Sequence, residues 1–516
     1  MPLRSFLAVL LAASFAATAQ EPPPAQTPES SGIGGQNQPN ATGTGSQAFS
    51  DPSALFGGKA GAFFGLALNN IQGEGLYLST VINTEFNLGP VGLGLSLPVN
   101  LLLINNDDCC GPNPDADGNN PHSRNSKAYS GILRRRDWDE PQDWLKFIRY
   151  VRYGHKRDPV YVLAGQMWGA SIGHGTLLSR YSNSLSLDHP KFGLAIDLNG
   201  TFAGIETLTD YVGNPTILAA RPYIRPFGDT PFLRGWAVGA TFVTDRTAPR
   251  ALQRDATGAL VQDKEGNPLV TAQDPVYAGG IDTEYELLHN SVISLLPFVD
   301  LNRIAGAGNG LHIGVLTDIN LPVPILDITL QARLEYRMMQ AGYIPEYFDQ
   351  TYDLGRAQYA VPGICPPGET SCPSVYVPKY EAAAAAHNTA ADRNAIDKKG
   401  YYGELAFNFA GILQIGGLLQ DYQGDPNGAS LGLFATFPKL EIVKLSAYYL
   451  RKNMNGLGDA FILDERSLLA ASAAYKVFGP FYLRVDFNRR WVIEPGADHI
   501  RAITTFSAGV ASFVSF

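Results

Sequence analysis

Between Val91 and Leu103 every odd position is apolar: Val91, Leu93, Leu95, Leu97, Val99, Leu101 and Leu103. The alternate positions begin Gly92, Gly94, Ser96, Pro98 and Asn100. Successive side chains leave a β-strand on opposite faces, so this segment predicts a strand with one greasy face and one small or polar face. Around Leu330 the polar row is Gln331, Arg333, Glu335 and Arg337, opposed by Leu330, Ala332, Leu334, Tyr336 and Met338. Near the end, Arg484, Asp486, Asn488 and Arg490 oppose Phe481, Leu483, Val485, Phe487 and Trp491. A half-buried sheet of a soluble sandwich also alternates. These segments, however, run to about 9 to 14 residues, nearer the ~9–11 of a tilted membrane strand than the ~5–6 of soluble sheets.

From the segment at 60–70 onward, roughly 20 such strands can be counted. Turns fall near Gly89-Pro90, Asn199-Gly200, Asp229, His289-Asn290, Pro322, Gly411, Pro438 and Gly479-Pro480, each between an even-numbered strand and the next. The long connections, about 105–144, 169–190, 247–277 and 342–399, each follow an odd-numbered strand. Short turns on one rim and long loops on the other are the layout of a transmembrane barrel. An even count returns both termini to the periplasmic side. The expected fold is therefore all-β: an antiparallel transmembrane β-barrel of about 20 strands (18–22) with long extracellular loops.

Composition agrees. Of 516 residues 45% are hydrophobic and only 17% charged, with 54 Gly, 24 Tyr and 26 Phe; soluble domains carry roughly 25% charged residues. The net charge of −9 argues against a nucleic-acid partner, which would need clustered Lys and Arg. Residues 1–19 read as a signal peptide, with Arg4, an apolar core from Phe6 to Phe15, and small residues Ala17 and Ala19 before Gln20. Residues 20–54, rich in Pro, Gly, Ser, Asn and Gln, read as a disordered periplasmic segment, and 55–516 as the barrel.

Together these features resemble a Gram-negative outer-membrane β-barrel of the porin-like kind. In that family the last strand alternates and ends in an aromatic residue; here Phe506, Ala508, Val510, Ser512, Val514 and Phe516 share one face. The resemblance implies that Phe506, Val510, Val514 and Phe516 form the signal read by the barrel-insertion machinery. It further implies an outer-membrane location among lipid and lipopolysaccharide, with small solutes as cargo.

Charged residues on strand faces carry the most information about function. Asp282, Glu284, Glu286, Arg333, Glu335, Arg337, Arg484, Asp486 and Arg490 cannot all face lipid, because a cation there costs roughly 2–4 kcal/mol at the midplane. They are expected to line the lumen. The loop from Trp168 to Pro190 joins the fifth and sixth strands, where porins fold a constricting loop inward, so His174, Arg180 and Asp188 are expected at a constriction. Ser171, Ser179 and His189 in the same loop invite comparison with a hydrolase, but no GxSxG elbow is present and no enzymatic activity is expected.

Two further features fall in predicted extracellular loops. Cys109, Cys110, Cys365 and Cys372 predict disulfides, with Cys365–Cys372 closing a short loop; zinc is the alternative, lacking a suitably spaced His. Asn113, Asp115 and Asp117 have the spacing that opens a calcium loop, although Arg124 stands where the bidentate Glu belongs. No cofactor is expected, other than Ca²⁺ as a candidate in this extracellular loop. The run Arg134–Arg136 with Asp137, Asp139, Glu140 and Asp143 reads as a solvated loop, or as contacts to lipopolysaccharide phosphates. Residues Glu381 to Lys399, with five consecutive alanines, predict a short helix.

A passive diffusion channel is the function this pattern favours. Its competitor is a closed barrel anchoring an envelope machinery for polysaccharide export, adhesion or motility, with protein partners.

Overall fold

The computed structural model describes residues 61–515, apart from 72–74, 106–128, 184–190, 262–267, 362–374, 464–466, 494–499 and shorter gaps in the connections. Twenty antiparallel strands form the wall. They are β1 (Gly61–Ile71), β2 (Gly75–Leu88), β3 (Val91–Asn105), β4 (Ile148–Tyr153), β5 (Val160–Gly165), β6 (Gly193–Asn199), β7 (Ala203–Thr209), β8 (Ile217–Ile224), β9 (Trp236–Asp245) and β10 (Val276–Tyr285). The chain continues through β11 (Ile293–Ile304), β12 (Gly308–Val323), β13 (Leu326–Met339), β14 (Lys398–Phe409), β15 (Leu413–Gln423), β16 (Ala429–Phe437), β17 (Val443–Met454), β18 (Ser467–Phe478), β19 (Phe481–Ile493) and β20 (Ile500–Ser515). Each strand pairs with its neighbours in sequence, and β1 pairs with β20 from Gly61↔Ser515 to Leu68↔Ala508. Closure removes the free edges that an open sheet would present to lipid.

The period-two pattern sorts the side chains. On β13, Arg333, Glu335 and Arg337 are buried inside while Leu334 is exposed outside. On β10 and β11, Asp282, Glu284, Asp300 and Asn302 point inward, while Ile281, Val299 and Leu301 point outward. An apolar exterior around a polar interior is the reverse of a soluble core and suits a wall solvated by hydrocarbon. An aromatic pair lies toward each end of the wall: Tyr336 is tilted against Tyr401 at 5.2 Å at one end, and Phe227 stacks on Trp236 at 5.5 Å at the other.

Two expectations need correction and one is sharpened. Strands β4 to β8 have only 6–8 residues, below the expected 9–14, and after β5 the chain leaves the wall to enter the lumen. The turn expected near Pro322 comes just after it, between Val323 and Leu326, and β12 itself continues through Pro322, which pairs with Asp327. At the penultimate residue of a strand a missing N–H removes at most one ladder bond. The predicted helix is α1, Lys379–Thr389, shorter than 381–399 at its C-terminal end and starting two residues earlier. It begins directly after Pro378, whose fixed φ suits a helix start. Beyond it the Asp392 carboxylate accepts from Asn394 N at 2.9 Å, a local turn that competes with further helix.

The long loops carry their own structure. Pro249–Leu252 pairs with Val270–Gln273, and Tyr359–Val361 with Val375–Val377. Arg250 of the first hairpin lies over the Tyr380 ring of α1 at 3.6 Å, tying the two loops together.

Candidate functional site

Two loops turn into the barrel. The first, residues 166–183, follows β5; the second, residues 340–357, follows β13. In the first, Met167, Ile172, His174, Thr176, Leu177 and Leu178 are buried, and in the second, Tyr343, Tyr347, Phe348 and Tyr352. Glycines set the first loop's path: Gly169, Gly173 and Gly175 all have positive φ, which costs glycine least.

His174 occupies the centre of the first loop's seat. Its Nδ1 lies 2.7 Å from Asp300 Oδ1 and its Nε2 2.6 Å from Glu284 Oε2. Carboxylates only accept, so both ring nitrogens must donate and the ring is an imidazolium. Burial opposes that charge, but the Asp300 and Glu284 carboxylates outweigh it and push the pKa up to about 10. The ring also stacks on Phe298 at 4.2 Å. Thr176 donates to Asp300 Oδ2 at 2.6 Å, and Gly173 N donates to Glu206 Oε2 at 3.0 Å. Beside this seat Arg221 spans Asp282 (3.0 and 2.5 Å) and Glu206 (3.0 Å).

A second charge group seats the second loop. Glu335 accepts from Arg337 at 2.7 Å, from His312 at 2.9 Å and from Arg333. His312 meets the Tyr343 hydroxyl at 3.0 Å, and Arg337 reaches Glu346 at 3.3 Å and the Tyr422 hydroxyl at 2.8 Å. Burial raises the Glu346 carboxyl, but Arg337, Arg333 and Arg180 more than reverse this and hold it below its ordinary value. Arg180 joins Glu404 at 2.6 Å and donates to the Tyr402 hydroxyl at 3.0 Å. Further out, Tyr352 and Arg356 both donate to Asp245, at 2.9 and 3.0 Å.

Of the charges expected in the lumen, Asp282, Glu284, Arg333, Glu335 and Arg337 are drawn into these two groups, none more than 6% exposed. Arg484 and Asp486 pair at 2.9 Å on the opposite wall, their side chains 16% and 23% exposed. Glu286 lies past the end of β10, paired with His289 at 2.8 Å. His174 and Arg180 sit in the inward loop, on separate seats. With both ring nitrogens on carboxylates, His174 has none left to activate Ser171 or Ser179; Ser171 Oγ instead accepts Arg180 N at 2.9 Å.

Asp188, His189, the four cysteines, Asn113, Asp115, Asp117 and Phe516 lie outside the described residues, as do residues 1–54 and the side chains of Arg490, Phe506 and Val514. Val510 is on the outer face. Asp143, from the mixed-charge run, is buried and paired with Lys146 at 2.8 Å. Among the described residues no group of three or more His, Cys, Asp or Glu is arranged to hold a metal ion.

Sequence reading missed Glu206, Arg221, Asp300, His312, Glu346, Tyr402 and Glu404. A signal was available for some of them: Asp300 and Asn302 occupy the same alternating row as Phe298, in a strand whose other face is Val299 and Leu301.

No protein-family model and no curated protein matches the chain. Solved structures resemble it at low identity. The chain is similar to Pseudomonas aeruginosa OpdL, at 11% identity and TM-score 0.29, over 89% of this chain and 98% of that one. It is similar to Wzi, an Escherichia coli outer-membrane protein involved in group 1 capsule assembly, at 10% and 0.32, over 90% and 86%. It is also similar to the Pseudomonas aeruginosa ferric enterobactin receptor PfeA, at 8% and 0.33, over 88% and 81%.

Proposed function

We propose that this outer-membrane barrel is a channel for passive diffusion of small solutes or ions, narrowed from one side by its two inward loops. The observation that carries the reading is asymmetry. The loop contacts described above run to strands between β7 and β15, whereas on β19, on the opposite wall, the Arg484–Asp486 pair keeps 16% and 23% of its side-chain surface exposed. That partial exposure leaves the pair open to water and supplies charge along that wall. Selection then follows from radius and lining charge, without covalent chemistry.

Liposome swelling with sugars of graded size tests this. Permeation of small sugars with a sharp upper limit supports it; vesicles holding folded protein that stay impermeable to all of them refute it.

A second reading rests on the sealing of the lumen charges. Asp282, Glu284, Arg333, Glu335 and Arg337 are occupied by one another and by the loops, which also suits a barrel closed to solutes that anchors an envelope machinery. Impermeable vesicles together with co-purifying envelope proteins favour that reading.

A further inference from the structure

The two inward loops are far apart in sequence, yet they are joined by backbone. Glu346 N donates to Thr176 O at 2.9 Å, Phe348 N to Leu177 O at 3.0 Å, and Ser179 N to Phe348 O at 3.0 Å. Leu178 and Phe348 thereby form a parallel bridge across the lumen. Around it Leu177, Leu178, Tyr181, Tyr347, Phe348 and Tyr352 belong to one buried apolar cluster. Tyr181 adds a bond from its hydroxyl to Asp353 at 3.0 Å, and Lys191 clasps Asp210 and Asp353 at 2.8 Å each.

Backbone conformation points to the same junction. Arg180 and Glu346, one in each loop, both have φ of 51°, a left-handed conformation that L side chains rarely adopt. Such residues persist where their surroundings hold them, and cluster in segments that bind or switch. Each flanks the bridge, and each carries a charge that docks on the wall: Arg180 on Glu404, Glu346 on Arg337.

The loops meet each other through main chain, apolar rings and the Tyr181–Asp353 bond. They meet the wall through polar keys, chiefly His174 on Asp300 and Glu284, and Glu346 on Arg337, and through the same apolar cluster, which takes in Leu208, Ile217, Val243, Ile304 and Met339. At the bridge, main-chain bonds join loop to loop, so withdrawing one loop alone would strand buried N–H groups that withdrawing both leaves paired.

We propose that the two inward loops form a single gate that docks and undocks as one body, with His174 as the positioning residue that keys it to the wall. Both seats then bias the same two-state element, so a lesion at either releases both loops.

Amide hydrogen exchange on the full chain folded into phospholipid nanodiscs tests this without requiring conduction. Its failure is therefore distinct from failure of the channel reading. His174→Gln removes a charged key in the first loop, and Glu346→Gln one in the second. The expected result is that either substitution accelerates exchange in both 169–183 and 342–356, by a shared factor of about tenfold or more. Acceleration confined to the loop that carries the substitution overturns the single gate, and no acceleration in His174→Gln overturns the role of His174. Heat-modifiable migration on a gel reports folding. Should His174→Gln fail to fold, Thr176→Val, which removes the hydroxyl that donates to Asp300 and accepts from Asn302, takes its place with the same two outcomes.

Discussion

Arg221 offers the sharpest perturbation of the lumen. Its guanidinium is fully buried and holds Asp282 through two bonds and Glu206 through a third, with Glu284 at 3.6 Å. Two glycines make the slot it lies in. A Cβ on Gly173 would stand 2.9 Å from Arg221 Cδ, and one on Gly239 2.7 Å from Arg221 Nε. Replacing Arg221 with Met keeps most of the volume but leaves Asp282 and Glu206 buried beside Glu284 without their cation. Breaking a buried pair from one side costs about 3–5 kcal/mol, since the remaining charge keeps its desolvation penalty. Urea unfolding in phospholipid vesicles, followed by tryptophan fluorescence, measures the loss. Combining Arg221→Met with Asp282→Asn and Glu206→Gln should recover most of it, because the stranded charges go with their partner. A loss below about 1 kcal/mol for Arg221→Met alone, the scale of an exposed pair, would refute the reasoning.

Three other outcomes follow from the same structure. His174, on a loop between strands, has its pKa raised above the ordinary ~6.5; its stabilisation is therefore complete below about pH 6.5 and is lost as pH rises through its folded value. Between pH 7 and 11 the urea midpoint should fall further for the native chain than for His174→Gln, where Asp300, Glu284, Asp282, Glu206 and Arg221 remain; parallel curves count against the imidazolium. Gly310→Ala puts a Cβ 2.3 Å from the Tyr343 ring and should cost about 1–3 kcal/mol by overpacking, read as faster exchange across 342–356. Leu334→Arg, on the exposed outer face of β13, should cost roughly 2–4 kcal/mol for folding into bilayers if that position lies near the midplane, and much less in detergent.

The barrel was legible in the sequence because alternation is local. Leu334 against Arg333 and Glu335 needs no knowledge of partners to be sorted out from in. Connection lengths also follow directly: the long loops at 106–147, 166–192, 246–275 and 340–397 lie close to the ranges expected from the pattern. What the alternation hides is pairing across the lumen. Asp300 meets His174 across 126 positions and Phe348 meets Leu178 across 170, and nothing in either segment's periodicity marks the other. The early end of β5 was hidden for a related reason. Residues after Gly165 remain apolar enough to extend a strand, yet they turn inward to bury Met167, Ile172 and Leu178 against the second loop. The lumen charges read as pore lining are instead largely consumed by docking, which only the three-dimensional placement of both loops reveals.

The most direct test of a channel narrowed from one side is single-channel recording of the folded full chain in planar lipid bilayers. Steady openings of uniform conductance, increased in both His174→Gln and Glu346→Gln, are the predicted result. Silence from protein that is folded by heat-modifiable migration, in the native chain and in both variants, would contradict it.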